Sequence, residues 1–157
     1  MRRRSFILTG GAALLGACSG GGAAPRGTAR AGADVLSVAR GAGAGRFARA
    51  AGETGVAETL AGPGPFTLFA PTDRAFAAAA RRSPDLARLV AYHVVPGELT
   101  SEFLEGMDVN HTTLLGTSLN VDGSGGALRV NGASVLRADL MASNGVVFLI
   151  DTALTPR

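Results

Sequence analysis

Cysteine and histidine are scarce in this sequence, which holds one of the former and two of the latter. A lone Cys18 leaves no partner for a disulfide within the chain. His93 and His111 stand far apart, with no second cysteine and no His-x-x-Glu spacing beside them, so no metal centre is expected. No serine occupies a Gly-x-Ser-x-Gly elbow, and Ser118 in G-T-S-L-N reads as a strand residue after a turn. Asp73 and Asp151 act as a carboxylate pair only where the fold brings them together. The glycines Gly41, Gly43 and Gly45 of G-A-G-A-G imitate a phosphate loop, yet no strand precedes them and the third spacing fails. A helix break explains them better. The apolar run Phe6 to Ala17 is shorter than the roughly 20 residues that span a bilayer. No cofactor is implied by any of these patterns.

An excess of basic charge is also missing once its position is considered. The formal net charge is +3, but Arg2, Arg3 and Arg4 supply it, and from Cys18 onward the arginines equal the acids in number. Nucleic-acid binding needs a concentrated basic surface, and none is left.

Those three arginines, the apolar run and the small residues before Cys18 have the order of a signal peptide over residues 1–17. Arg3-Arg4-Ser5-Phe6-Ile7 resembles a twin-arginine export signal, and Leu15-Gly16-Ala17-Cys18 resembles the lipobox of bacterial lipoproteins. The resemblance implies a lipidated Cys18 and an exported protein anchored in the bacterial cell envelope, on its periplasmic side or at the cell surface. One acyl chain holds only marginally at about 0.8 kcal/mol per buried CH₂, so lasting attachment requires the several chains such lipoproteins carry. Residues 19–32 contain no large apolar side chain and are expected to form, with Cys18, a tether over 18–33. A single domain is then expected over 34–157, large enough to bury about two thirds of its unfolded surface.

Within that domain Asp34 is placed to cap a helix carrying Val35, Leu36, Val38 and Ala39. Helical spacing returns over 46–51 and 53–61, until G-P-G-P (Gly62 to Pro65) forces a turn. F-T-L-F-A (Phe66 to Ala70) reads as a strand that Pro71 ends, with Thr72 or Asp73 capping the helix that follows. A helix over 84–91 leads into Tyr92-His93-Val94-Val95, expected as a strand, and a short helical turn is expected over 99–104. Short strands are expected over 112–115, 118–121, 127–131, 134–136 and 146–150, with turns at Asp122 to Gly126 and Asn131-Gly132. Asn110-His111-Thr112 has the form of a glycosylation sequon and, beside a bacterial-type export signal, reads as coincidence. Helices first and strands later argue an α+β domain with mostly antiparallel sheets.

Three stretches carry a family resemblance. F-T-L-F-A-P-T-D-R-A-F (Phe66 to Phe76) resembles the first signature of fasciclin domains, Y-H-V-V-P-G (Tyr92 to Gly97) their Tyr-His motif, and the stretch Val130 to Pro156 their second signature. Order and spacing agree. The resemblance implies a compact wedge of short β-sheets with helices packed on it, adhesion through partners, no catalysis and no cofactor. Where many members carry a histidine in the second signature this chain has Phe148, expected to serve packing or apolar contact. Pro71, Thr72, Asp73, Asn144 and Gly145 are structural in this reading. Asp139, Leu140 and Met141 occupy the place of an Asp-Ile pair implicated in integrin contact, and Tyr92 and His93 that of the Tyr-His segment implicated in the same role. An exposed Asp139 suits a metal ion on a receptor, with Leu140 or Met141 filling an apolar pocket; the plainer alternative is a turn-capping acid with Leu140 in the core. His93 is read either as a neutral, hydrogen-bonded core imidazole or as a recognition residue. The expectation is therefore a monomeric, membrane-tethered interaction module for a surface protein or polysaccharide. The alternative is an envelope lipoprotein that binds a small molecule or is a hydrolase, which a closed pocket pairing His93 with an acid or serine would favour.

Overall fold

Residues 32–156 are described by a computed structural model. The expectations for the signal, Cys18 and most of the tether lie outside the described residues.

Three helices come first: α1 (Val35–Gly41), α2 (Gly45–Glu53) and α3 (Val56–Leu60). Asp34 caps α1 by accepting from the Ser37 amide. Strand β1 (Phe66–Pro71) precedes α4 (Asp73–Ala80) and α5 (Leu86–Ala91), and β2 (Val94–Pro96) follows α5. After α6 (Ser101–Leu104) the chain is strands alone: β3 (Asp108–Thr112), β4 (Ser118–Asp122), β5 (Arg129–Val130), β6 (Ala133–Ala142) and β7 (Gly145–Ile150).

The strands form a sheet in the order β2-β1-β7-β6-β5-β4-β3, antiparallel throughout except for the β1–β7 pair, which runs parallel. That pair lies one strand in from the β2 edge, and both its faces are covered. Leu68, Ala70, Val147 and Leu149 face the helical layer of α1 to α5. Phe69, Val146, Phe148 and Ile150 face a second core closed by Tyr92, Leu104, Leu119 and Val130. Burial on two sides explains why G-V-V-F-L-I is continuously apolar instead of alternating. Phe148 is fully buried against Phe69, ring centroids 5.4 Å apart.

Some boundaries differ from the sequence reading. Tyr92 and His93 are not strand residues: Tyr92 is the C-cap of α5 and His93 the turn after it. The strand expected over 112–115 lies earlier, because Asp108–Thr112 pairs with Ser118–Asp122 and leaves 113–117 as the hairpin turn. β6 runs on through Ala142 across two register shifts, where the broken alternation of L-R-A-D-L-M hid it. Pro71 itself remains in the β1 ladder, opposite Ile150, as its last residue.

Candidate interaction surface

Several polar motif residues turn out to be fasteners. Thr72 caps α4, its hydroxyl accepting from the Ala75 amide at 3.3 Å. Asp73 caps a different helix: its carboxylate accepts from the Arg46 amide of α2 at 2.7 Å, where the N-cap Ala44 has no side-chain acceptor. Asn144 accepts from the Val35 amide at 3.0 Å and donates to the Leu60 carbonyl, binding α1 and α3 to the start of β7. Gly145 fits because a Cβ there would lie 1.9 Å from the Phe66 carbonyl oxygen. Asp151 accepts from the Ser134 amide, so the two acids Asp73 and Asp151 are each committed to a separate backbone amide.

Tyr92 and His93 are interior. The Tyr92 hydroxyl donates to the Ser118 carbonyl at 3.0 Å and accepts from Asn131 at 2.8 Å. The His93 imidazole is fully buried, packed on Phe47, and bonds the backbone through both nitrogens. Nε2 accepts from the Leu154 amide at 2.9 Å, which places the proton on Nδ1, donating to the Leu89 carbonyl at 2.7 Å. Burial lowers its pKa to about 4, against a smaller upward pull from that carbonyl. His93 is thus the neutral core imidazole and presents no surface for recognition. Burial also lowers the pKa of His111, whose Nε2 is buried without a hydrogen-bond partner. Hydrogen bonds from Ser124 lower that of Asp122. Among the described residues no group of three or more His, Cys, Asp or Glu side chains gathers to hold a metal ion, and no helix is long and apolar enough to cross a membrane.

The surface with free chemistry lies where β6 meets α6. A register shift lifts Asp139 into the left-handed region (φ +53°), which aspartate tolerates better than most residues. Its exposed carboxylate accepts from both the amide (2.8 Å) and the hydroxyl of Ser101 at the start of α6. Asp139 is therefore the capping acid, and its oxygens are engaged within the domain. Leu140 is half-buried against the helical-layer core. Met141 alone of the three offers an exposed apolar side chain, at 41%. The sequence reading missed its neighbours in kind: Phe103 (54%), Met107 (42%) and Leu136 (53%) are also exposed, on α6, its exit and β6. For Leu136 the signal was the same loss of alternation that hid the second half of β6; Phe103 and Met107 carried none. A groove of about 360 Å³ separates these segments, lined among others by Ser101, Glu105, Leu128, Val135 and Leu136.

Comparison with known proteins agrees with this architecture. The family model for the fasciclin domain matches residues 42–156. Protein sll1483 of Synechocystis is 38% identical over 109 residues, covering 63% of this chain and 59% of that protein. Cell surface glycolipoprotein MPB83 of Mycobacterium bovis is 32% identical over 112 residues, covering 66% of this chain and 49% of the relative. The chain thus spans about half to three fifths of the length of these two relatives. Among solved structures, a domain pair from the insect cell adhesion molecule fasciclin I superposes with a TM-score of 0.59 at 20% identity, covering 73% of this chain and 46% of that one. At that identity the likeness speaks for the fold alone.

Proposed function

Because the chain belongs to the fasciclin domain family, we propose that it is a non-catalytic interaction module of the bacterial cell envelope. It is exported, held to the membrane by lipid on Cys18, and binds a protein or polysaccharide at the surface as a monomer. The observation that carries this reading is the exposure of large apolar side chains on α6, its exit and β6, two segments tied together by the Ser101–Asp139 hydrogen bond, on a domain whose other conspicuous residues serve its own fold. Exposed apolar groups concentrated in one region, with polar residues around them, mark protein contact more often than chance. That the mycobacterial relative is a cell surface glycolipoprotein supports the location.

The test uses the intact protein purified in detergent and immobilised, with surface proteins and envelope polysaccharides passed over it. Saturable binding weakened by Met141→Ser at unchanged melting temperature is the expected result. Cys18→Ser is expected to move the protein from the membrane to the soluble fraction. Absence of saturable binding to every surface component would refute the interaction reading, and continued membrane retention of the serine variant would refute the anchor.

A further inference from the structure

Every markedly exposed large apolar side chain among the described residues lies on two segments, Phe103 and Met107 on one, Leu136 and Met141 on the other. The Asp139–Ser101 hydrogen bonds join these segments, and the groove beneath runs between α6, the turn after β4 and the first half of β6. Its lining is mixed: Leu128, Val135 and Leu136 supply apolar surface beside the polar Ser101 and Glu105. One carboxylate, Glu105, is among its lining residues, and the chain segment that supplies α6 and the turn after β4 is acidic. From Glu98 to Leu128 the chain carries Glu98, Glu102, Glu105, Asp108 and Asp122 and no arginine or lysine. The only ion pair among the described residues is Arg49–Glu53, in the helical layer, so neither Glu102 nor Glu105 is tied up in a direct ion pair. The nearest cations along the chain are Arg129, opposite Asp122 in the β4–β5 ladder, and Arg137 beside Leu136.

We propose that this groove seats a cationic amphipathic segment of a partner protein. An apolar side chain of that segment rests on Leu128, Val135 and Leu136, and flanking Arg or Lys residues face Glu102 and Glu105. The proposal rests on the interaction-module reading and narrows it to one chemistry. A neutral apolar partner would strip water from these carboxylates and return nothing for it. An acidic partner or polyanionic glycan would meet like charge. An anionic bilayer surface would be repelled for the same reason. A cationic segment satisfies both features of the groove at once, with the apolar anchor supplying affinity and the charges register and association rate.

The experiment titrates the full-length protein in detergent into three fluorescent synthetic peptides read by anisotropy. One alternates leucine with arginine at helical spacing, one replaces every arginine by glutamate, and one scrambles the cationic sequence so that its apolar face is lost. The first is expected to bind saturably, the second not at all, and the third at least about tenfold more weakly. Raising NaCl from about 0.05 to about 0.5 M should weaken the first as screening shortens. Leu136→Ser should weaken it about tenfold. The pair Glu102→Lys with Glu105→Lys should abolish it and admit the glutamate peptide; all three positions are exposed, so folding is retained, checked by circular dichroism. Equal binding of the cationic and acidic peptides, or insensitivity to both sets of substitutions, overturns the proposal. So does a concentration-dependent dimer that Leu136→Ser dissolves, since a second copy then occupies the groove. A surface partner captured as above but indifferent to Leu136, Glu102 and Glu105 would sink this groove while leaving the interaction module standing.

Discussion

Lowering the pH should unfold this domain earlier than its carboxylates alone would, because of His93. The folded imidazole has a pKa near 4, lowered by complete burial, while in the unfolded chain it returns to about 6.5. Between these values the unfolded chain holds a proton that the folded one refuses, so stability falls as pH falls. At pH 5.5 the slope is about 1.2 kcal/mol per pH unit, and between pH 7 and pH 5 the loss sums to about 2 kcal/mol. Above pH 7 the effect vanishes. His111, also lowered by burial, pulls in the same direction, so His111→Gln is the matched control. Asp122, held low by Ser124, contributes stability that is lost only as pH falls through the carboxylate range, below this window. The chain has no tryptophan, so urea unfolding is followed by far-ultraviolet circular dichroism at each pH. His93→Gln should cost about 3 kcal/mol at pH 7, through imperfect pairing of the Leu89 carbonyl and Leu154 amide, and should flatten the decline between pH 7 and pH 5. The reasoning fails if that decline survives the substitution at its original size.

Two further outcomes follow from the fasteners. Thr72→Ala and Asp73→Ala should each cost about 1 kcal/mol in urea unfolding, because they cap different helices; a measurable loss for Thr72 with none for Asp73 would refute the cap that Asp73 lends to α2. Gly145→Ala should cost more than about 3 kcal/mol, since the new methyl meets a paired backbone carbonyl that has no room to retreat, whereas Gly125→Ala, with open space around it, should leave stability within about 0.5 kcal/mol of the original.

What was legible in the sequence was local. Asp34 and Thr72 cap their helices because an N-cap acts within three residues, a span any reading of the chain can see. The same vision fails for Asp73, whose amide partner is 27 residues upstream, and for Asn144, which reaches back 109 residues to Val35. Tyr-His-Val-Val misled because a short apolar run reads alike as strand or as the end of a buried helix. The parallel β1–β7 pairing, on which both cores are built, left no mark beyond two strongly apolar segments.

The candidate surface was half legible for a related reason. An acid beside bulky aliphatic residues looks like a recognition site, and its sequence cannot say which member faces outward. The fold divides the labour: the Asp139 carboxylate is tied to Ser101, Leu140 joins the core, and Met141 stays outside with Leu136. A positive φ at a non-glycine residue survives only where the surroundings hold it, and the two hydrogen bonds to Ser101 are that hold. The acid therefore acts on any partner indirectly, by fixing α6 and with it Phe103, Glu102 and one wall of the groove. Substitution should separate the two roles. Asp139→Ala loosens α6, so stability and binding fall together, while Met141→Ser or Leu136→Ser touches binding alone. A variant at Asp139 that lost binding with its melting temperature and α6 protection from hydrogen exchange intact would show instead that the carboxylate meets the partner directly.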